Sequence, residues 1–590
     1  MKKVLLTGIN AKYIHSNLAI RYLYKYSKAY TDHVQVVEYT INNHYDHVLQ
    51  EIYRMRPDIL TFSCYIWNIE MIKELITDYK KIAPDTTIIL GGPEVSYDGE
   101  KMLSSYKEVD VIIVGEGEET FQELMAYYIH EEGNLKDIDG IVYRESDTVH
   151  TNKPRKPLLM DDLPFVYEDG FEGFDHRIIY YESSRGCPFN CQYCLSSIEK
   201  GVRMKSLHHV FKELQQFLDA RVMQVKFVDR TFNCHKKHAV GIWTYLHEHD
   251  NGYTNFHFEI SADLLDEDMI ELLRQVRPGL FQLEIGVQST NETTIHHIQR
   301  KTNFLKLAEK VKAIQEGNNI HQHLDLIAGL PDEDYDSFGR SFNDVYALEP
   351  HQLQLGFLKI LNGSGLKRDA EDFGIIYKEK APYEVLKTHK LSYDDILRLK
   401  MIEEMVEIYY NSGNFYFAIK YIETFFKTPF AFYEALGDYW LDHNLHVSNH
   451  NKVTLYTILL EFYKDTIPSN EKEFMHILKF DMYLQEKVKK FPHWLERQEA
   501  YKEAVIRFYR DEENTKKYLP HLEQYTAKQK SRMTHLEIFP IDIIKWSKDF
   551  KKPLEWRRNA VLFDYHTRDI FRNNATYRTV ELIYNISQEM

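Results

Sequence analysis

Residues 184–194 have the sequence SRGCPFNCQYC and lie between an apolar strand-like run and a helix-like segment. The Cys-x-x-x-Cys-x-x-Cys spacing places Cys187, Cys191 and Cys194 on one tight loop. Three thiolates this close together can hold one polynuclear iron cluster and leave its fourth iron open. A structural zinc site normally takes four protein ligands, and no nearby Cys or His stands at the usual spacing. The motif therefore favours an iron–sulfur cluster over zinc.

The sequence around this loop, from about 176 to 365, alternates strand-like and helix-like segments. Its apolar runs are RIIYYESS, QVKFVDR, NFHFEIS, LFQLEIGVQ, HQHLDLIAGLP and HQLQLGFLKIL. Six strands with intervening helices predict a partial or complete parallel (β/α) barrel, whose site lies at the carboxyl ends of the strands. The cysteine loop follows the first of these strands, so we expect the cluster at that end.

A second strand–helix alternation precedes the barrel, from Val4 to about Tyr127. Its apolar runs are VLLTGIN, VQVVEY, ILTFSCY, TIILGG and VDVIIVGEG. This spacing predicts a doubly wound, flavodoxin- or Rossmann-like parallel sheet. Ligands of such sheets bind at the carboxyl ends of the strands, so the loops that follow the strands are expected to build one pocket. These loops are 8–17, 63–68, 91–96 and 115–120.

The chain is predicted to have an α/β fold in four parts, of which the last is all-α. The predicted parts are the Rossmann-like domain over 1–130, a Pro-bearing connector over 131–175, the barrel over 176–370 and a helical domain over 371–590. The last part shows apolar side chains at helical spacing, among them Ile396, Leu399, Ile402, Met405 and Tyr409.

Composition excludes several classes of protein. The chain has 590 residues, of which 44% are hydrophobic, so wholesale disorder is excluded. A net charge of -16 excludes a uniformly basic nucleic-acid surface. The opening MKKVLLTGIN lacks a secretory apolar core, and no run approaches the roughly 18 apolar residues of a membrane span. We therefore expect a cytoplasmic protein whose five cysteines form no disulfide framework.

The cysteine motif resembles the signature of the radical S-adenosylmethionine (SAM) enzymes, in which an aromatic residue, here Tyr193, precedes the third cysteine. The resemblance implies a 4Fe-4S cluster on Cys187, Cys191 and Cys194. It also implies that the amino and carboxylate groups of SAM chelate the open iron, and that reduction cleaves SAM to a 5'-deoxyadenosyl radical. A flavodoxin or ferredoxin-type reductant is the implied partner.

Other barrel segments resemble the oxygen-independent coproporphyrinogen oxidase and methylthiotransferase branches of these enzymes. By this resemblance Glu259 lies near the methionine end of SAM, and Arg300 lies near its carboxylate. Gln288 and Asp325 contact the ribose, whose diol suits amide and carboxylate acceptors. Tyr193 completes this SAM-binding set. Glu259 and Asp325 would also fit a salt bridge at the barrel end.

The second barrel strand departs from the common pattern of the family. Many members have a Gly-Gly-Glu type turn there, which binds the methionine amine, whereas this chain has VDRTF over 228–232. Cobalamin-type members often carry an aspartate at this point. Asp229 is therefore a further SAM-binding candidate, through its side chain or through its backbone alone.

A flavodoxin-like domain before such a barrel resembles the cobalamin-binding radical enzymes. The segments GGPEVSYD and VDVIIVGEGEETFQEL match the late strands of that family, where small residues let the backbone approach the corrin. The Asp-x-His-x-x-Gly motif that supplies an axial histidine is absent, and members of this class commonly bind cobalamin without one. The cobalamin-binding candidates are Asn10, His15, Ser63, Tyr65, Trp67, Gly91, Gly92, Pro93, Glu94, Gly115 and Glu116.

These candidates also have ordinary structural interpretations. Tyr65 and Trp67 would equally fit packing at a domain interface. His15 would fit a capping or core histidine, and the segment GEGEE over 115–119 would fit a helix N-terminus with favourable acidic residues.

The whole order resembles a bacterial subgroup with a helical C-terminal domain of unknown function. The first hypothesis is a cobalamin-dependent radical enzyme that modifies an unactivated carbon, most often by methyl transfer. The second is a radical enzyme that performs rearrangement or oxidation, and the third is a cobalamin or redox sensor. Methylthiotransferase activity is disfavoured because Cys64 is the single cysteine of the N-terminal domain. A small molecule, lipid or peptide substrate would fit, and nothing favours long nucleic acid.

Overall fold

A computed structural model describes residues 1–198, 201–495 and 498–582. The chain divides into two compact units. The first unit comprises Met1–Phe338 and Gly356–Tyr393, and the second comprises Gly339–Leu355 and Asp394–Met590. None of the helices in the described ranges combines the length and the apolar content needed to cross a bilayer.

The N-terminal part of the first unit is built on a seven-stranded sheet. Its strands are β1 (Val4–Asn10), β2 (Val34–Thr40), β3 (Ile59–Ser63), β4 (Thr87–Gly91), β5 (Val111–Ile113), β6 (Ile141–Glu145) and β7 (Thr148–Thr151). The sheet order is β2-β1-β3-β4-β5-β6-β7, with parallel pairing from β2 to β5. The predicted doubly wound sheet is confirmed. Strands β6 and β7, from the predicted connector, extend it by antiparallel pairing.

Helices cover both faces of this sheet. They are α1 (Leu18–Tyr26), α2 (Tyr45–Met55), α3 (Ile69–Ile82), α4 (Pro93–Ser96), α5 (Gly99–Ser105) and α6 (Glu118–His130). All seven residues of β1 are buried, because Leu5 belongs to one core cluster and Val4 and Leu6 to another. This burial on both faces explains the unbroken apolar run VLLTGIN. The strand order reverses between β1 and β3, which is where such sheets bind ligands.

The barrel part of the chain is built on a six-stranded sheet. Its strands are β8 (Ile179–Tyr181), β11 (Gln224–Phe227), β12 (Asn255–Ile260), β13 (Phe281–Gln288), β14 (His321–Ala328) and β15 (Gln352–Phe357). The sheet order is β15-β14-β13-β12-β11-β8. Two-residue strands β9 (Ser184–Arg185) and β10 (Arg203–Met204) pair with each other beside it. The strands pair in parallel from β8 to β14, and the open order makes this a partial barrel.

The side chains of β13 alternate strictly between buried and half-buried. Phe281, Leu283, Ile285 and Val287 are buried, so Glu284 and Gln288 lie on the opposite, inner face. The helices of this part are α7 (Leu207–Asp219), α8 (Lys236–Glu248), α9 (Glu267–Gln275), α10 (Glu292–His297), α11 (Phe304–Gln315), α12 (Tyr335–Tyr346) and α13 (Gly365–Asp369), followed by the short strands β16 (Ile376–Tyr377) and β17 (Val385–Lys387).

The C-terminal part is mainly helical, as predicted. Its helices are α14 (Tyr393–Met405), α15 (Tyr416–Ile422), α16 (Pro429–Asp442), α17 (Lys452–Thr466), α18 (Glu471–Gln485), α19 (Lys502–Arg510), α20 (Glu512–Tyr518), α21 (Ala527–Met533) and α22 (Ile543–Ser547), with a π-helical turn over Val406–Asn411.

The expectation of an all-α end was wrong in one respect. An antiparallel sheet of three strands, β18 (Thr534–Phe539), β19 (Asn559–Arg568) and β20 (Ala575–Thr579), lies near the end of the chain. Five of the six residues of β18 and the first six of β19 are buried. Strands buried on both faces lack the period-2 alternation that distinguishes a strand from a helix in sequence.

Candidate active site

The cysteine loop follows β8 and β9 at the carboxyl end of the barrel. Cys187, Cys191 and Cys194 are free thiols, of which Cys191 is buried and the other two are half-buried. Gly186 fixes the start of the loop with a φ of 94°. A Cβ at this position would lie 2.2 Å from the carbonyl oxygen of Gly201. The Arg-Gly-Cys sequence therefore needs its glycine for both conformation and space.

Asp229 ties the end of β11 to the residues that precede the cysteines. Its fully buried carboxylate accepts hydrogen bonds from Ser183 N at 3.0 Å, Ser183 Oγ at 2.6 Å and Ser184 Oγ at 2.6 Å. Burial raises the pKa of Asp229, and these hydrogen bonds oppose the rise. The carboxylate is thus occupied by the serines, and a SAM contact by this residue stays a prediction.

Arg300 joins the cysteine loop to β13. Its Nη1 donates to Tyr193 Oη at 3.0 Å and lies 3.9 Å from Cys191 Sγ. Its Nη2 donates to the carbonyl oxygen of Gly286 at 2.5 Å, and its buried Nε has no hydrogen-bond partner in the part of the chain that the structure describes. Three residues predicted to belong to one site, Tyr193, Cys191 and Arg300, are therefore in contact.

Gln288 and Asp325 present unsatisfied polar atoms on neighbouring strands. Gln288 has a φ of 73° at a β-bulge of β13, a conformation that costs about 1 to 3 kcal/mol and concentrates at functional sites. Among the described residues, its Oε1 and Asp325 Oδ1 are buried without a hydrogen-bond partner. His323 Nε2 lies 3.1 Å from Asp325 Oδ1 but does not meet hydrogen-bond geometry. Burial raises the pKa of Asp325, and the neighbouring His323 opposes the rise.

Glu259 lies on the inner face of β12, in register with Glu284 of β13. Burial, together with the like charge of Glu284, raises the pKa of Glu259 to about 7. The pair of acceptors formed by Gln288 and Asp325 suits a diol, and Glu259 adds a carboxylate that is partly protonated near neutral pH.

The polar candidates on the first loop of the N-terminal sheet already have protein partners. Asn10 Nδ2 donates to the carbonyl oxygen of His15 at 3.1 Å and to Glu38 Oε2 at 2.7 Å. His15 Nδ1 lies 2.7 Å from Tyr180 Oη on barrel strand β8. These contacts shape the loop and connect it to the barrel.

The loop after β3 presents an aromatic surface beside the switch point. The rings of Tyr65 and Trp67 stack with their centroids 4.5 Å apart and their planes 5° apart. Trp67 Nε1 donates to the carbonyl oxygen of Ile9 at 3.0 Å, yet 42% of this residue is exposed. Ser63 Oγ accepts from Asn17 Nδ2 at 2.8 Å and so holds the base of the loop.

Sequence reasoning missed Asn68, which is fully buried under this loop. Its Nδ2 donates to the carbonyl oxygens of Ile9 and Ser63, both at 2.9 Å. An asparagine directly before helix α3 was the available signal, because this residue type commonly bonds local backbone at helix starts.

The loop after β4 depends on glycine. Gly92 has a φ of 106°, and a Cβ there would lie 2.5 Å from the carbonyl oxygen of Cys64. A Cβ on Gly91 would meet only ordinary contact, 3.6 Å from Ile113. Pro93 begins helix α4. Glu94 is buried and accepts from Tyr383 Oη at 2.9 Å, so its side chain is already bonded within the protein.

The loop after β5 combines an open glycine with an ion-paired glutamate. Gly115 has a φ of 77°, and apart from its two chain neighbours no described residue has an atom within 4 Å of its Cβ position, so a ligand can approach the backbone there. Glu116 pairs with Arg203, lies 3.5 Å from Arg185 Nη1 and accepts from Leu158 N at 3.0 Å.

Arg185 is the centre of an ion cluster that sequence reasoning missed. Its Nη2 lies 2.6 Å from Glu118 Oε1 on α6, and its Nε lies 2.9 Å from Glu182 Oε2. Its position directly before Gly186 and Cys187 was the available sequence signal. The cluster links the N-terminal sheet to the start of the cysteine loop.

Three domain models match successive parts of the chain. Residues 4–125 match the B12 binding domain, and residues 181–345 match the radical SAM superfamily. The chain thus combines a B12 binding domain with a radical SAM domain. Residues 371–563 match a protein family of unknown function, DUF4080. The cofactors of this radical SAM protein are a 4Fe-4S cluster, SAM and cobalamin.

Curated relatives and a solved structure extend this comparison. An uncharacterized methyltransferase of Pyrococcus horikoshii, PH0819, is 26% identical over 43% of this chain and 56% of its own length. The cobalamin-dependent radical SAM methyltransferase TokK of Streptomyces tokunonensis is 24% identical over 56% of this chain and 51% of its own length. The chain thus spans about half the length of these relatives.

The structure of the cobalamin-dependent SAM radical enzyme OxsB, with aqua-cobalamin and SAM bound, has a TM-score of 0.55 to this protein. The two sequences are 15% identical, and the match covers 82% of this chain and 83% of OxsB. At this identity the likeness concerns the fold.

The described residues fit the cofactors of the family. Cys187, Cys191 and Cys194 supply free thiols on one loop, and beside them Gln288 Oε1 is buried without a hydrogen-bond partner among the described residues. Among the described residues no three His, Cys, Asp or Glu side chains converge on a single ion position. A cubane cluster requires no such convergence, since each thiolate binds a separate iron. For the corrin, the open backbone at Gly115 and the exposed ring of Trp67 suit a broad, flat ligand.

Proposed function

We propose that this radical SAM protein is a cobalamin-dependent enzyme that modifies an unactivated carbon of its substrate by methyl transfer. The observation that carries the proposal is the cysteine loop beside two buried acceptors that have no hydrogen bond within the described residues, Gln288 Oε1 and Asp325 Oδ1, in a chain with a preceding B12 binding domain. When bound, the cluster and SAM supply a 5'-deoxyadenosyl radical, and cobalamin supplies the methyl group. TokK, a methyltransferase, supports this choice of reaction.

The barrel residues have distinct proposed roles. Cys187, Cys191 and Cys194 bind the cluster. Gln288 and Asp325 accept hydrogen bonds from the ribose hydroxyls; this role is supported by their buried oxygens, which make no hydrogen bond within the described residues.

The remaining SAM-site candidates act at the two ends of the cofactor. Glu259 binds near the methionine end. Arg300 orients Tyr193 and the cysteine loop through Nη1 and leaves Nε for the SAM carboxylate, as its contacts support. Asp229 is a positioning residue, because its carboxylate holds the serines that precede the cysteines.

Cobalamin is proposed to bind mainly through backbone and ring faces. Gly91, Gly92 and Gly115 let the chain approach the corrin and its tail, and the Tyr65–Trp67 pair offers a flat surface. The other candidates hold the loops in shape, as their protein partners support; they are Asn10, His15, Ser63, Pro93, Glu94 and Glu116.

The proposed setting is the cytoplasm, with a flavodoxin or ferredoxin-type protein as reductant. A small molecule, lipid or peptide is the proposed substrate class. An acidic chain of net charge -16 supports these over long nucleic acid.

A labelling experiment tests the proposed reaction. Wild-type and gene-deleted cells are grown with methionine whose methyl group carries three deuterium atoms, and their metabolites, lipids and peptides are compared by mass spectrometry. We expect at least one species three mass units heavier than its unlabelled form that is lost on deletion and restored by the wild-type gene. The matched control is complementation with C191A, which should not restore it. A product that depends on the gene but gains no labelled methyl would instead support radical chemistry without methyl transfer.

A further inference from the structure

The barrel interior carries a layer of charged side chains beneath the proposed SAM site. Interior layers of parallel barrels are dominated by branched apolar residues. Here Lys226 of β11 is in register with His257 of β12, and Glu284 of β13 is in register with His323 of β14. A layer that breaks the usual pattern in this way is expected where function requires it.

Lys226 lies between two carboxylates in this layer. Its Nζ is 3.0 Å from Glu284 Oε2 and 3.9 Å from Glu259 Oε1. His257 Nε2 lies 3.0 Å from the same oxygen of Glu284. Glu284 therefore has two cationic or proton-donating neighbours. Glu259 shares one of these neighbours, the Lys226 ammonium, at the longer distance.

We propose that Lys226 is a positioning residue, which holds the Glu259 carboxylate in its SAM-binding form by ion pairing, and that Glu284 limits this effect by competing for the same ammonium. This inference rests on the proposed function, since it assumes that Glu259 contacts SAM. It adds two residues, Lys226 and Glu284, that the proposed function does not use.

The charges around Glu259 support this arrangement. The groups that act on it, from each neighbouring element, are Glu284, Lys226, Arg230 and Asp325. Burial and the like charges of Glu284 and Asp325 raise the pKa of Glu259, Lys226 and Arg230 oppose the rise, and the net result is a pKa of about 7. His257, which lies 3.0 Å from Glu284, and His323, which lies 3.1 Å from Asp325, are further titratable groups of the layer, and His15 interacts electrostatically with Lys226.

Glu284 differs from Glu259 in its charge state. Burial disfavours its charged form, but the contact with His257 and the charges of Lys226, His257 and His323 lower the pKa of Glu284 to about 2. Glu284 is thus a fixed anion at neutral pH. Glu259 is ionised above its pKa and protonated below it, so SAM binding should be strongest at high pH and should weaken as pH falls through about 7.

The two substitutions Lys226→Met and Glu284→Gln should move this pH dependence in opposite directions. SAM affinity of the cluster-loaded full chain is measured by calorimetric titration from about pH 6 to about pH 9. Loss of the ammonium in Lys226→Met should raise the midpoint by about one pH unit, because Glu259 loses its nearest cation. Glu284→Gln should lower it by a similar amount, because a like charge is removed and Lys226 is released. Lys226→Arg keeps the positive charge and should retain the wild-type midpoint.

Opposite shifts of the two midpoints, with unchanged cluster absorbance, would support the proposal. A purely structural role of Lys226 and Glu284 would not move the midpoints in opposite directions. Shifts in the same direction, or an equal loss of affinity at every pH, would overturn it. If Lys226→Met does not fold, the downward shift in Glu284→Gln decides the matter by itself. Wild-type protein that carries its cluster but binds no SAM would overturn the proposed function, and this inference with it.

Discussion

The carboxyl end of the barrel and the loop edge of the N-terminal sheet differ in the groups that they offer to a ligand. At the barrel end, three free thiols lie near buried oxygens of Gln288 and Asp325 that make no hydrogen bond within the described residues, although His323 lies 3.1 Å from the Asp325 oxygen. At the loop edge, the side chains of Asn10 and His15 are already bonded within the protein. The barrel offers unsatisfied side chains, whereas the N-terminal loops offer backbone and ring surfaces.

This difference follows from what each region is proposed to bind. A buried acceptor without a hydrogen bond lowers the stability of the fold by about 1 to 3 kcal/mol. Such an acceptor is tolerated where a ligand supplies the matching donor. A corrin is a broad macrocycle whose faces need shape and close approach more than many polar contacts. Side-chain substitutions should therefore damage the barrel site strongly, while the N-terminal site should respond mainly to changes of backbone.

The largest expected effect follows removal of one cluster ligand. C191A leaves two thiolates in the motif, so it should abolish both the cluster absorbance and the reductive cleavage of SAM. Anaerobic reconstitution, with iron and sulfide analysis and with quantification of 5'-deoxyadenosine, measures both properties. The matched control is C234A, at a cysteine outside the motif, which should keep both. Full cleavage by C191A would contradict the assignment.

The next effect concerns the backbone of the N-terminal edge. Gly92→Ala adds a Cβ where φ is 106° and a carbonyl oxygen would lie 2.5 Å away. The conformation alone costs about 1 to 3 kcal/mol, and the steric overlap adds to it. We expect a lower unfolding temperature and loss of bound cobalamin.

The control for this substitution is Gly133→Ala, where φ is 80° and no atom lies within 4 Å of the Cβ position. It should show conformational strain alone, with cobalamin binding retained. Equal stability and equal cobalamin binding in both variants would show that the tight approach at Gly92 is unimportant.

A smaller effect should follow removal of one acceptor in the barrel. Asp325→Ala should weaken SAM binding by about 1 to 3 kcal/mol, the usual loss when a buried hydrogen bond is removed, and should leave the cluster assembled. Calorimetric titration of the cluster-loaded protein measures the change. Asp268→Ala, at a carboxylate that is 85% exposed, is the control and should bind normally. Unchanged affinity in Asp325→Ala would limit that residue to a structural role.

The smallest effect is expected at His15. Its ring already contacts Tyr180 Oη at 2.7 Å, so His15→Gln should change cobalamin affinity by less than about threefold, or about 0.7 kcal/mol. Trp67→Ala, which removes an exposed aromatic face, should weaken binding more than this. Equilibrium dialysis with cobalamin compares the two. A greater loss in His15→Gln than in Trp67→Ala would reverse the proposed division between the two regions.

Much of the fold could be predicted from sequence because burial leaves a periodic pattern. The run FQLEIGVQ alternates as a strand with one inner polar face, and VLLTGIN is unbroken because β1 is buried on both faces. The same double burial hid β18 and β19 within a helical region. The cysteine spacing likewise indicated its chemistry because all three ligands lie on one short loop.

The parts of the site that escaped prediction depend on contacts between distant segments. Arg185 and Glu118 are 67 positions apart in sequence, and His15 and Tyr180 are 165 apart. The positive φ of Gln288 also leaves no sequence signal, because glutamine is not a residue that favours that conformation. The charged layer around Lys226 could not be predicted from sequence, because its members come from four strands that only the folded sheet brings together.

Electron paramagnetic resonance of bound cob(II)alamin tests most directly the claim that this protein holds cobalamin without a nitrogen ligand from a side chain. The full chain is loaded anaerobically with its cluster and with cobalamin, and the cobalt signal is recorded after reduction to cob(II)alamin. We predict base-off cobalamin whose cobalt lines show no splitting into triplets, because His15 is already engaged by Tyr180. Triplet splitting by an axial nitrogen, or failure to retain any corrinoid, would contradict the account.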